Sequence, residues 1–154
     1  MRSEPWLTRP SSGPRRLPDA SLAYVALRIA FGINMTMHGV NRFLGGVGKF
    51  AGKMAQDFST TVLPHGLVLA FGYVLPFIEF AIGILLLLGL WMRWTLLLGM
   101  AVIAVLMFGS ALKGDWNVLG IQLVYAVVYY LLIARQADDA VGIDVSRFER
   151  GAAR

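Results

Sequence analysis

The chain has no cysteine. That excludes thiol–disulfide exchange by its own thiols, an iron–sulfur cluster held by its own thiolates, and a structural disulfide. Charge is scarce as well. Only 15% of the 154 residues are Asp, Glu, Lys or Arg, whereas 57% are hydrophobic and the mean hydropathy is +0.65. Soluble domains carry about a quarter charged residues, so this composition leaves little chain for a soluble catalytic domain. Proline is concentrated at one end. Pro5, Pro10, Pro14 and Pro18 stand with four arginines before Ala20, which rules out a continuous helix there and predicts a flexible cytoplasmic arm over residues 1–20.

The apolar residues gather in four windows, at about 21–40, 66–90, 91–112 and 117–134. Each has the roughly 18 to 25 residues that a bilayer crossing needs. The expected fold is all-α: an integral membrane four-helix bundle spanning 21–134, followed by a polar tail over 135–154. The first window reads as a retained helix rather than a cleaved signal, because Val40-Asn41-Arg42 is a poor small-residue cleavage site.

The net charge of +5 would suit nucleic acid, but its distribution follows the spans instead. Arg2, Arg9, Arg15, Arg16, Arg93, Arg135, Arg147, Arg150 and Arg154 fall on one side of the windows. Arg42, Lys49, Lys53 and Lys113 fall on the other, and Arg28 lies inside a span. Nine against four obeys the positive-inside rule with both termini cytoplasmic. The expectations are a multi-pass protein of the cell's inner membrane, anionic lipid headgroups as partners, and no nucleic acid.

Between the first and second windows Gly45-Gly46-Val47-Gly48 makes a flexible turn. Phe50, Met54 and Phe58 then recur every four residues beside Lys49, Lys53, Gln56 and Asp57. That pattern predicts a short helix lying at the external interface, apolar face toward the bilayer. The glycines do not make a phosphate loop, since no glycine stands five before Gly48-Lys49 or Gly52-Lys53 and no strand precedes. Trp91-Met92-Arg93-Trp94 is short enough to make the second and third spans an antiparallel hairpin.

Two charges inside apolar windows need an explanation. Glu79 stands among Phe77-Ile78 and Phe80-Ala81, and Arg28 within Val25-Ala26-Leu27 and Ile29-Ala30-Phe31. A charge in lipid costs a few kcal/mol even on lenient insertion scales, so the two are expected to pair as a structural ion pair locking the first two spans. Around Arg28, the positions Arg28, Gly32, Met35 and Gly39 form one stripe; around Glu79, the positions Gly72, Pro76, Glu79 and Gly83 form another, and both suit close packing. Toward the external end Asn34, His38, Asn41 and Gln122 supply amides and an imidazole.

With these residues placed, the chain resembles the DoxX family of small four-helix membrane proteins, which includes a subunit of a thiosulfate:quinone oxidoreductase. The resemblance rests on Leu27-Arg28-Ile29-Ala30-Phe31-Gly32, His38-Gly39, the glycine-rich loop, Phe50-Ala51, Leu63-Pro64, and Glu79 through Leu90 before Arg93. Gln122 stands where relatives often have an acid, and Asn41-Arg42 replaces a more usual polar and lysine pair. The resemblance implies a quinone-interacting or redox-associated subunit of a membrane oxidoreductase complex. Its quinone or lipid would be held by His38, Asn34, Asn41 and Gln122 through hydrogen bonds in an apolar slot.

No covalent cofactor and no metal are implied, and electrons would have to come from a partner or a bound substrate. A haem shared by His38 and His65 is disfavoured, because His65 follows Pro64 at a helix start and faces water. The competing reading is a non-catalytic structural or accessory subunit of a larger membrane complex. On either reading the chain meets a membrane protein partner or copies of itself.

Overall fold

The computed structural model describes residues 18–144, so most of the arm expected over 1–20 and the end of the tail lie outside the described residues. Among the described residues five α-helices follow one another: α1 Asp19–Gly45, α2 Val47–Asp57, α3 His65–Leu88, α4 Met92–Lys113 and α5 Trp116–Ala134. A 3-10 turn, Gln136–Asp138, comes next. Among the described residues there is no strand, and α1, α3, α4 and α5 are each long and apolar enough to cross a membrane.

The helix ends have identifiable causes. Pro18 and Pro64 immediately precede α1 and α3, where a missing N–H costs nothing because the first turn's donors are unbonded anyway. Asp115 caps α5 by accepting a hydrogen bond from the Val118 amide at 3.2 Å. Gly89 closes α3 in the left-handed conformation (φ 62°), a geometry that favours a residue without Cβ.

Small residues set how the helices meet. A Cβ added to Gly83 would strike the Thr36 backbone, and one added to Gly39 would lie 2.6 Å from the Phe80 Cβ. A third glycine of this seam, Gly32, faces Leu86 and Leu87. These contacts fix an antiparallel register in which Gly32 is level with Leu87, Thr36 with Gly83 and Gly39 with Phe80. A second pair of helices interlocks through the Tyr129 ring, which fills the notch at Gly99 and joins α5 to α4. Phe31 meets the Tyr125 and Tyr129 rings edge-on, with centroids 5.5 and 4.8 Å apart, and so ties α1 to α5.

The bundle has two ends. The tail end holds the start of α1, the α3–α4 turn and the residues after α5. The loop end holds α2, the α2–α3 loop and the α4–α5 turn.

Helix α2 exists where the sequence pattern places it, but its small face packs on protein. Ala51 and Ala55 are fully buried, and Ala51 closes onto Gly72 of α3. The apolar row Phe50, Met54 and Phe58 lines a cavity inside the loop end. The apolar face expected to lie against the bilayer therefore serves the interior, because a small-on-small seam lets α2 dock on α3.

Candidate functional site

The register separates the two intramembrane charges that the sequence invites one to pair. Continued by one turn, it puts Arg28 level with Trp91, twelve residues beyond Glu79, or about 18 Å at 1.5 Å per residue. Arg28 and Glu79 are not partners. Depths counted inward from the ends of the two spans suggest otherwise, but the glycine contacts stagger the helices, so the first part of α1 runs past the end of α3. Each charge has found another partner.

Arg28, 1% exposed, closes the tail end. Its Nη1 donates to the Leu86 carbonyl at 2.5 Å and to the Leu87 carbonyl at 3.2 Å. These are carbonyls of the last turn of α3, where the Gly89 amide also donates to Leu86, and a cation suits the negative end of a helix dipole. Its Nη2 donates to the Val141 carbonyl at 3.3 Å, and its Nε lies 3.7 Å from Asp139, an ion pair rather than a hydrogen bond. The segment after α5 is thus part of the fold. Asp144 accepts from the Met92 amide at 2.9 Å, capping α4 from outside that helix, and its own amide donates to the Gly89 carbonyl at 3.1 Å.

At the loop end Glu79 pairs with Arg42. Glu79 sits near the middle of α3 with its side chain 4% exposed, and the Arg42 side chain is 21% exposed. Arg42 belongs to the last turn of α1 and reaches inward, its guanidinium carbon 4.4 Å from the centroid of the Phe50 ring. Lys113 stands over Phe58 in the same way, at 5.1 Å. The Phe50 ring of α2 and the Phe58 ring just after it therefore each hold a cation at the edge of one chamber.

That chamber is a cavity of about 450 Å³ between α2, α3, α4 and α5. Its wall is mostly apolar, with Phe71 and Leu75 from α3, Val105 and Phe108 from α4 and Val118 from α5. The polar groups that reach it are few: Arg42, Asp57, Ser110, Lys113, Asp115 and Gln122. Gln122 Oε1 is buried and has no hydrogen-bond partner among the described residues. A buried amide oxygen left unbonded costs on the order of 1–3 kcal/mol, so the site is built as if a donor arrives from elsewhere.

The four residues expected to form one binding set are not brought together. Gln122 lines the cavity; Asn34, His38 and Asn41 do not. Asn34 and His38 meet instead across Tyr125 of α5, whose hydroxyl donates to Asn34 Oδ1 at 3.0 Å and lies 3.0 Å from His38 Nε2. Asn41 is exposed. The two histidines are not brought together either. His38 is level with Ala81, sixteen residues or about 24 Å along α3 from His65, and His65 is exposed. The polar cavity residues outside the expected binding set are Arg42, Asp57, Ser110, Lys113 and Asp115. Arg42 carries a visible signal in retrospect, a lone cation eight residues before Phe50 on a chain that turns at Gly46.

A bundle of four apolar helices with a charge pair inside it and a mostly apolar chamber at one end defines a small multi-pass membrane protein, in contact with the lipid bilayer. The DoxX family model matches residues 23–113, and the chain belongs to the DoxX family. Comparison with curated proteins and with solved structures gives no match.

Proposed function

We propose that the loop-end cavity binds a lipophilic carbonyl compound of the quinone class, and that the protein serves as a quinone-interacting subunit of a membrane oxidoreductase complex in the cell's inner membrane, both termini inside. The observation that carries this reading is the buried Gln122 Oε1, without a partner among the described residues, in a largely apolar chamber of about 450 Å³, within the usual range for a ligand site of roughly 300–1,000 Å³. A quinone supplies two-electron, two-proton chemistry when bound. Gln122 suits both of its states, since one amide orientation accepts from a ring hydroxyl and the flipped one donates to a ring carbonyl.

The other residues of the chamber have their own tasks. Arg42, held by Glu79 and Phe50, is a fixed positive charge that favours electron density on a nearby oxygen. Phe50, Phe58 and Phe71 give flat apolar contact and exclude water. The site has thus moved from the His38 group to Gln122 and Arg42, and His38 with Tyr125 and Asn34 becomes a bridge between α1 and α5.

The test is binding of a short-chain benzoquinone to the purified protein, followed by quenching of tryptophan fluorescence. Saturable binding is expected. Gln122→Leu should weaken it about tenfold, the worth of one buried hydrogen bond, and His38→Ala should leave it unchanged. Absence of saturable binding, or sensitivity to His38→Ala with indifference to Gln122→Leu, refutes the reading.

A further inference from the structure

An exposed strip of α1 beside α5 carries a second pattern. Ala23, Leu27, Ala30, Asn34, Met37, Asn41 and Leu44 recur at alternating steps of four and three, and all of them except the partly buried Leu27 are exposed. Steps of four and three repeated over three heptads are the seam of a left-handed two-helix coil. Leu27, Asn34 and Asn41 take one position of the repeat; Ala23, Ala30, Met37 and Leu44 take the other. The seam runs along the edge of α1 next to α5, the least covered of the four spans, with 11% of its apolar window buried against 33–39% for the others.

The two asparagines make lipid a poor cover for this seam. Asn34 is two residues, or about 3 Å, from the middle of a helix of 27 residues, which places its amide deep in hydrocarbon. Its Oδ1 already accepts from Tyr125, whereas its Nδ2 has no partner among the described residues, and neither does the Asn41 amide. Acyl chains offer no acceptor.

We infer that the α1 seam pairs with the same seam of a second copy in a parallel, two-fold symmetric dimer. Two copies inserted with one orientation bring equal depths together, so Asn34 meets Asn34 and Asn41 meets Asn41. The asparagine side chain is its own complement, and each Nδ2 donates to the remaining lone pair of the partner copy's Oδ1. Ala23 and Ala30 let the backbones approach, Met37 and Leu44 interdigitate, and a polar residue at one position of the repeat fixes register and favours two strands. The bare side of α5 then flanks the pair.

Because the chain has no cysteine, single cysteines can be placed without background. In native membranes under mild oxidation, Ala30→Cys and Met37→Cys should form disulfide-linked dimers, whereas Ile29→Cys and Ile33→Cys on the neighbouring strip should not. Energy transfer between labelled copies, followed as vesicle lipid is diluted, should show that Asn34→Leu weakens association about three- to thirty-fold, the range for an interhelical hydrogen bond in a bilayer. Tyr125→Phe, which removes the same intrachain bond but leaves the Asn34 donors, should associate like the parent. Cross-linking equal at all four positions, monomers at every dilution, cross-links only to a different protein, or equal weakening by Tyr125→Phe and Asn34→Leu would each overturn the proposal.

Discussion

Removing Arg42 should cost the fold more than removing Glu79. Arg42→Met strands a carboxylate whose residue is 3% exposed and lies near the middle of a membrane helix; breaking a buried pair from one side costs about 3–5 kcal/mol. Glu79→Gln strands the arginine instead, but that side chain is one-fifth exposed, sits in the last turn of α1 and rests on Phe50. It can turn toward the headgroups at the loop end, so the expected loss is only about 1–2 kcal/mol.

The double change Arg42→Met with Glu79→Met should fall within about 1 kcal/mol of the parent, since apolar replacement of a buried pair is often neutral. With Glu79→Met as the matching single change, expected to cost about as much as Glu79→Gln, the double-mutant cycle then gives a coupling on the order of 3–7 kcal/mol. The same cycle on Arg28 and Glu79 should give less than about 0.5 kcal/mol, as expected for groups separated by more than about 10 Å. The measurement is equilibrium unfolding in mixed micelles with rising dodecyl sulfate, read from the chain's tryptophans. Equal coupling in the two cycles, or a Glu79→Gln loss larger than that of Arg42→Met, would refute the pairing.

The glycines offer a contrast that is nearly free of electrostatics. Gly83→Ala drives a methyl into the Thr36 backbone and should part α1 from α3, lowering thermal stability in detergent sharply, whereas Gly120→Ala meets nothing within 4 Å and should be neutral or stabilising by up to about 1 kcal/mol. Two tyrosines of α5 should likewise differ. Tyr125→Phe removes both hydrogen bonds of the α1–α5 bridge and should cost about 1–2 kcal/mol, while Tyr129→Phe removes a buried hydroxyl without a partner among the described residues and should cost nothing or stabilise slightly; the same unfolding titration compares them.

Much of this fold was legible because a bilayer demands long apolar windows. Those at 66–90, 91–112 and 117–134 differ from α3, α4 and α5 by at most two residues at either end, and α1 merely extends the first window on both sides. Charge placement was harder to read. That Arg28 and Glu79 each need a partner follows from one sequence position at a time; which partner each takes depends on the stagger of α1 against α3. The stagger is decided by where Gly32, Gly39 and Gly83 find room, and a hydropathy pattern is blind to it. The polar tail hides the roles of Asp139 and Asp144, since an acid after the last span gives no hint that an arginine more than one hundred residues earlier, or the first amide of α4, awaits it. The asparagine row was visible, but its direction was not, because an amide facing a ligand and one facing another copy have the same sequence.

The clamp on Arg28 sets an order of events during synthesis. The arginine enters the membrane with the first span, its acceptors at Leu86 and Leu87 follow about sixty residues later, and Asp139 is made 111 residues after it. At roughly 5–20 residues per second, that last interval is about 6–22 seconds. Through it the first helix carries an incompletely paired guanidinium, and the insertion machinery or anionic headgroups must shelter that charge. The bundle becomes a finished object only when residues after α5 reach the level at which its first helix began, so a ribosome stalled in the fifth helix would leave three spans threaded and Arg28 still without its carboxylate.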